Sequence, residues 1–185
     1  RQMCIRDSFG TALICMETTH NGAGGAVLPL AHMQRVHALA RERGIPVHTD
    51  GARLFNAAAA LGVPAADIAR HTDSVCFCVS KGLSAPVGSV LCGSRDFIER
   101  ARAFRRMVGG NMRQAGSIAA AGVVALETMI DRLKDDHAMA KKLAAGFHEI
   151  DASLTDPDSV ETNIVRVNVG HTGRSAAQWA EDFRT

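Results

Sequence analysis

The sequence predicts an α/β fold built on a mainly parallel sheet, and three observations carry that expectation. Short β-prone runs alternate with segments of helical periodicity along residues 11–93. Hydrophobic residues make up 46% and charged residues 22% of the 185, the balance of a globular domain with a sizeable core. After residue 93 the pattern changes to successive helices and then a strand-like run, so a second, smaller α+β unit is expected to begin near residue 113.

Each element has a local reason. Residues 1–8 (RQMCIRDS) show neither period, and no methionine starts the chain, so residues 1–10 read as a frayed end or foreign sequence. Residues 11–18 (TALICMET) fit a buried strand, followed by the glycine-rich loop THNGAGG. Leu30, Met33, Val36, Leu39 and Ala40 have helical spacing over residues 30–43, and Gly44 stops that helix. Residues 45–49 form the next strand, with Asp50 at its carboxyl end. ARLFNAAAALG reads as a short helix from Ala52, and Pro64 can open another. Residues 74–80 (SVCFCVS) are β-prone and deliver Lys81 just past their end. VGSVLCG, residues 87–93, follows through a connection too short for a crossover helix and should run antiparallel to its predecessor. Helices are expected over about residues 96–108, 113–130 and 132–150. Asp156-Pro-Asp-Ser breaks the pattern before an alternating strand at residues 163–169 (NIVRVNV), and a last helix opens at Ser175. The expected division is residues 11–112 for part of a large domain, 113–150 for connecting helices and 151–185 for an incomplete small domain.

The 21 basic and 19 acidic residues are spread along the chain, so no basic stripe argues for nucleic acid or anionic lipid. No run approaches the roughly 18 apolar residues of a membrane span, and a cytoplasmic protein acting on a small molecule is expected. Cys4, Cys15, Cys76, Cys78 and Cys92 are an odd number, best explained as buried reduced thiols; C-x-C at 76–78 lacks the spacer of common metal motifs, and no metal is expected. No G-x-G-x-x-G follows a strand, which disfavours a dehydrogenase.

Open α/β sheets gather ligands at the carboxyl ends of their strands, where both Asp50 and Lys81 fall. A lysine closing a strand and followed by glycine can be partly desolvated, which makes its amine a nucleophile toward an aldehyde. An ordinary solvated loop lysine has the same local pattern. Asp50 alters that balance, because pyridoxal phosphate chemistry needs a carboxylate against the ring nitrogen; the same residue could simply cap the helix from Ala52. Arg53, three residues on, could hold a substrate carboxylate with its planar fork, or could be a surface arginine at a helix start.

The segments TTHNGAGGAVLPL, HTDGARLFNAAAALGVP, DSVCFCVSKGLSAPVGSVLCG, RDFIERARAFRRMVGGNMRQAG and RLKDDH occur in this order. Together they resemble successive motifs of the low-specificity threonine aldolases over most of the chain. DGAR with SKGLSAPVGS and GGNMRQ is far more specific than a lone glycine pattern. The resemblance implies a fold type I pyridoxal 5′-phosphate enzyme that cleaves threonine and related β-hydroxy-α-amino acids to glycine and an aldehyde. It implies Lys81 as the cofactor lysine, Asp50 as the ring-nitrogen carboxylate and Arg53 as the substrate-carboxylate arginine. His20 and Asn21 would lie near the cofactor, and Arg113 and Gln114 would approach a site shared between the subunits of a homodimer or homotetramer. Ser80 is either a phosphate ligand or a strand-end hydroxyl. His20 could equally order the glycine turn after it, Arg113 could only start a helix, and His137, among charged residues, is expected to be solvated. Where the family usually reads E-N-T-H-N, this chain has Glu17-Thr18-Thr19-His20-Asn21. The family's ring-stacking histidine, Gly-Thr phosphate pair and carboxyl-terminal arginine have no counterpart here, so the isolated chain is expected to be inactive. The rivals are an aminotransferase or β-eliminating lyase of the same fold, which Lys81 and Asp50 would serve equally, and a non-catalytic copy of the fold.

Overall fold

A computed structural model describes residues 10–184; the reading of residues 1–8 lies outside them. One sheet has the order β1-β2-β3-β4, formed by β1 (Ile14–Glu17), β2 (Val47–Asp50), β3 (Ser74–Cys78) and β4 (Ser89–Gly93). β1, β2 and β3 are parallel, and β4 returns antiparallel to β3, as the short connection requires. The register sets Glu17, Asp50 and Cys76 side by side across the first three strands.

Between the parallel strands the chain crosses over through helices. α1 (Leu30–Glu42) buries Met33 and Ala40 and is released at Gly44, whose φ of 64° belongs to the left-handed region. α2 (Leu54–Leu61) begins two residues later than the sequence implied and ends on Gly62, again left-handed. α3 (Ala65–Ala69) follows Pro64. α4 (Arg95–Met107) starts at Ser94, whose hydroxyl accepts from the Phe97 amide, and places Asp96 in its first turn and Arg105 and Arg106 in its last, each favourable with the helix dipole. α5 (Gly116–Thr128), α6 (Leu133–Ile150) and α7 (Ala176–Asp182) complete the chain, the last opened by a Ser175–Gln178 capping box.

Three apolar clusters hold these elements. Met16, Val47 and Val75 of the sheet pack with Met33, Leu54, Ala57 and Ile68 of α1 to α3. A second cluster joins Val79, Leu83 and Ala85, beyond β3, to Ala125 of α5 and Leu133 of α6, with Phe55 and Phe77 meeting edge to face at 5.2 Å. The third is Ala140 and Ala144 of α6 with Val160. α2 faces the first cluster with Leu54, Ala57 and Ala58 and the second with Phe55 and Ala59. Whatever moves α2 therefore moves both.

Three expectations fail here. Residues 163–169 form no strand. Ladder pairing needs a neighbouring edge, and the chain here instead docks through side chains on the loop after β1: Thr162 Oγ1 donates to the Gly25 carbonyl at 2.8 Å, the Val27 amide donates to Glu161 Oε2 at 2.9 Å, and Arg166 Nη1 donates to the Gly22 carbonyl at 3.4 Å. Residues 113–115 precede α5 rather than belonging to it, so Arg113 starts no helix. Cys15 and Cys92 are exposed and Cys76 and Cys78 half-buried, all four unbridged. β4 is exposed along its length, which leaves the Cys92 thiol uncovered. Among the described residues no helix is long and apolar enough to cross a membrane, and no group of three His, Cys, Asp or Glu could hold a metal ion.

Candidate active site

The rim at the carboxyl ends of β1, β2 and β3 brings the chemistry together. β2 ends on Asp50, and the chain must then turn across β3, where the Gly51 amide donates to the Cys76 carbonyl at 2.8 Å. A β-carbon on residue 51 would lie 2.9 Å from that carbonyl oxygen, so the crossing is made by glycine. Asp50 does not cap α2; its Oδ1 accepts from the Ala52 amide at 3.0 Å, and Arg53 stands at the cap position without a side-chain cap bond. The Cys76 thiol donates to the same oxygen at 3.8 Å. Burial, and then the Asp50 charge beside it, pushes that thiol's pKa up and keeps it a donor. Oδ2 of Asp50, which is exposed, has no hydrogen bond among the described residues.

Beyond Cys78 the chain buries Val79, exposes Ser80 and Lys81, and buries Leu83 and Ala85. The Ser84 amide donates to the Lys81 carbonyl and the Ala85 amide to that of Val79, both at 2.9 Å, so the lysine sits on a closed turn anchored on both sides in the second cluster. Lys81 is exposed, so the partial desolvation expected of it is not found among the described residues. Arg53 is half-buried, and its side chain makes no hydrogen bond or ion pair among the described residues. Its guanidinium remains open to an anionic ligand.

The other expected site residues are placed unequally. His20 lies three residues beyond β1, where its Nδ1 accepts from the Ala23 amide at 3.0 Å and its Nε2 faces Glu17 at 3.4 Å; it does order the turn after it. The Asn21 amide donates to Glu17 Oε1 at 3.1 Å, with the residue exposed. The Ser80 hydroxyl donates to the Gly88 carbonyl at 3.4 Å, a strand-end bond. Arg113 and Gln114 are exposed before α5, and no hydrogen bond ties them to the rim.

His137 is a correction, since it is half-buried rather than solvated. Its Nε2 lies 3.1 Å from Nδ2 of Asn56, and burial lowers its pKa. Sequence reasoning also passed over Asn56, Cys76 and Thr19. The signal for Asn56 was a lone amide inside the apolar run LFNAAAAL. Thr19 Oγ1 is buried without a hydrogen-bond partner among the described residues, two residues beyond β1 and next to Thr18, whose amide donates to the Asp50 carbonyl at 3.0 Å. The apolar groove along α6, lined by Met139, Leu143, Phe147 and Ile150, involves none of Asp50, Arg53 or Lys81. The rim therefore offers a carboxylate oxygen, an amine, a guanidinium and a hydroxyl, a set suited to an aldehyde-bearing heterocycle and an amino acid carboxylate.

A sequence profile of the beta-eliminating lyase family matches residues 5–170. The chain is 45% identical to a probable low-specificity L-threonine aldolase 2 of Arabidopsis thaliana, over 92% of this chain and 48% of that protein. It is 43% identical to a low specificity L-threonine aldolase of Escherichia coli K12, over 90% and 48% respectively. Among solved structures, a putative L-allo-threonine aldolase from Listeria monocytogenes superposes with a TM-score of 0.74 at 27% identity, covering 86% of this chain and 44% of that one. The chain thus spans about half the length of the curated relatives it matches.

Proposed function

The chain belongs to the beta-eliminating lyase family, and we propose that it supplies the lysine-bearing part of a pyridoxal 5′-phosphate-dependent aldolase that splits threonine and related β-hydroxy-α-amino acids into glycine and an aldehyde. The supporting observation is the pairing of Asp50 at the end of β2 with Lys81 beyond the end of the adjacent parallel strand β3. Fold type I enzymes of this cofactor are the chain's structural neighbours.

The residues present fit the cofactor. Asp50 keeps Oδ2 free while Oδ1 is tied to the Ala52 amide, so the carboxylate is oriented and still has an acceptor to offer a protonated ring nitrogen. When bound, pyridoxal phosphate supplies an electron sink for the substrate α-carbon. Lys81 would be the amine that holds the cofactor through its aldehyde. Asp50 would hold the proton on the ring nitrogen. Arg53 would bind the amino acid carboxylate and so orient the substrate. His20, Asn21, Ser80 and Arg113 are proposed cofactor contacts, Arg113 together with Gln114 approaching a site shared between copies in a homodimer or homotetramer. Residues 11–112 are assigned to the large domain, 113–150 to connecting helices and 151–185 to part of the small domain. Action in the cytoplasm, as part of amino acid metabolism, completes the proposal.

Borohydride reduction in the presence of pyridoxal phosphate should fix a pyridoxyl group on Lys81, read by peptide mass spectrometry. Threonine given to the full-length protein should yield free glycine and acetaldehyde. A keto acid product would assign an aminotransferase or a β-eliminating lyase instead, and absence of label from Lys81 would remove the cofactor assignment.

A further inference from the structure

Asn56 and His137 have no part in the roles assigned above, yet they join the two helices that meet at the Lys81 turn. Asn56 is 2% exposed on the first turn of α2, the helix that follows Asp50 and Arg53. An amide so buried must find partners. Its Nδ2 lies 3.1 Å from Nε2 of His137. Its Oδ1 faces the backbone of Gly82, where an added β-carbon would be 3.2 Å away, and the same β-carbon would lie 2.8 Å from Leu133 Cδ2. Leu133 opens α6 one turn before His137, so both project from one side of that helix. Gly82, the residue after Lys81, is thereby held between the first turns of α2 and α6.

We propose that the Asn56–His137 pair positions the Lys81 turn, fastening α6 to α2 across Gly82 so that the lysine beyond β3 and the Asp50–Arg53 segment before α2 keep a fixed relation. The catalytic consequence rests on Lys81 being the cofactor lysine; the fastening itself concerns the turn alone. Both are positioning residues, acting through Gly82 on Lys81.

The chemistry of the contact makes it sensitive to protonation. A neutral His137 accepts at Nε2 from Asn56 and carries its proton on Nδ1. A protonated ring would set donor against donor, and the pair could persist only by turning the amide over, which takes Oδ1 away from Gly82. Burial disfavours the charged ring, the Asp136 carboxylate opposes that effect and the Lys141 ammonium reinforces it. Of the elements packed on α6, α2 carries no ionisable side chain, α5 carries Glu127, the turn Pro157–Ser159 carries Asp158, and the strand-end turn carries the exposed Lys81.

The test uses two readouts on the wild type, His137→Gln and His137→Leu. One is hydrogen exchange at the Ser84 and Ala85 amides, which close the turn, corrected for intrinsic rates and compared with amides in α1. The other is the rate at which pyridoxal phosphate and borohydride label Lys81. His137→Leu leaves a buried amide unpaired and should reduce protection of the two amides by about tenfold, with slower labelling. His137→Gln, which offers a non-titrating amide near the position of Nε2, should restore both. Wild-type protection should fall with acid below the normal histidine range, and that of His137→Gln should not. Unchanged Ser84 and Ala85 protection in His137→Leu, or an equal loss in α1, would overturn the inference. Protection that responds as expected while Lys81 takes no label in any variant would uphold the fastening and reject the cofactor lysine. Equal labelling rates in all three would reject the pair as a positioning device.

Discussion

Replacing Gly82 with alanine would place a methyl group 2.8 Å from Leu133 Cδ2 and 3.2 Å from Asn56 Oδ1. Carbon atoms pack best at about 3.5 to 4.0 Å, so the contact with Leu133 is roughly 1 Å too close. The backbone at residue 82 lies outside the left-handed region, which leaves sterics as the whole effect. Leu133 is 1% exposed and packed against the second cluster, so it cannot swing aside without disturbing Val79, Leu83 and Ala125. Overpacking of this kind costs about 1 to 3 kcal/mol. Gly146, within α6, is the matched control, because an added β-carbon there meets nothing within 4 Å. Gly146→Ala should stabilise by about 0.5 to 1 kcal/mol, the usual gain of alanine over glycine in a helix. Urea unfolding followed by circular dichroism should therefore move the two midpoints in opposite directions at a common slope. A Gly82→Ala midpoint at or above that of the wild type would refute the packing of α2 and α6 on the turn.

Other substitutions address the site and the docked segment. Lys81→Ala should abolish pyridoxyl labelling and threonine cleavage while changing stability by less than about 0.5 kcal/mol, since the side chain is exposed; a stable variant that still cleaves threonine would remove the lysine's role. Asp50→Asn keeps an oxygen for the Ala52 amide, so cofactor affinity should change little while kcat falls at least tenfold; full turnover would show that the ring nitrogen needs no carboxylate here. Arg53→Ala should raise KM for threonine by about 1.5 to 3 kcal/mol of lost binding and leave cofactor affinity in place, and an unchanged KM would reject it as the carboxylate ligand. Gly25 has a φ of 81°, and a β-carbon there would lie 2.5 Å from Thr162 Oγ1, so Gly25→Ala should destabilise by about 1 to 3 kcal/mol and quicken proteolysis within residues 161–168; wild-type resistance would mean that the segment does not dock as described.

Much of the rim was legible before any coordinates. Asp50 and Lys81 follow β-prone runs in the sequence, and a strand in a parallel sheet delivers whatever residue follows it to the same edge as its neighbours. The glycines after both residues, 51 and 82, mark close approaches, although their neighbours, the Cys76 carbonyl in one case and Asn56 with Leu133 in the other, are far along the chain. The start of α2 was misplaced because Asp50 has the chemistry of a cap and uses it on Ala52 without opening the helix.

What the sequence determined by itself is therefore the set of effects that act over a few residues: the helix-strand alternation, the antiparallel return of β4, and the order in which carboxylate, guanidinium and amine reach the rim. Tertiary structure alone decided the rest. The alternating run at residues 163–169 is no strand because a ladder requires a partner edge, and the chain there is tied by side chains instead, Thr162 just before it to the Gly25 carbonyl and Arg166 within it to the Gly22 carbonyl. His137, set among charges in the chain, is half-buried because its own face of the helix meets Asn56 across a separation of 81 residues. Lys81 is exposed, although its strand-end position predicted partial desolvation. Burial and hydrogen-bond pairing depend on which distant segments pack together, and a local pattern carries no record of that choice.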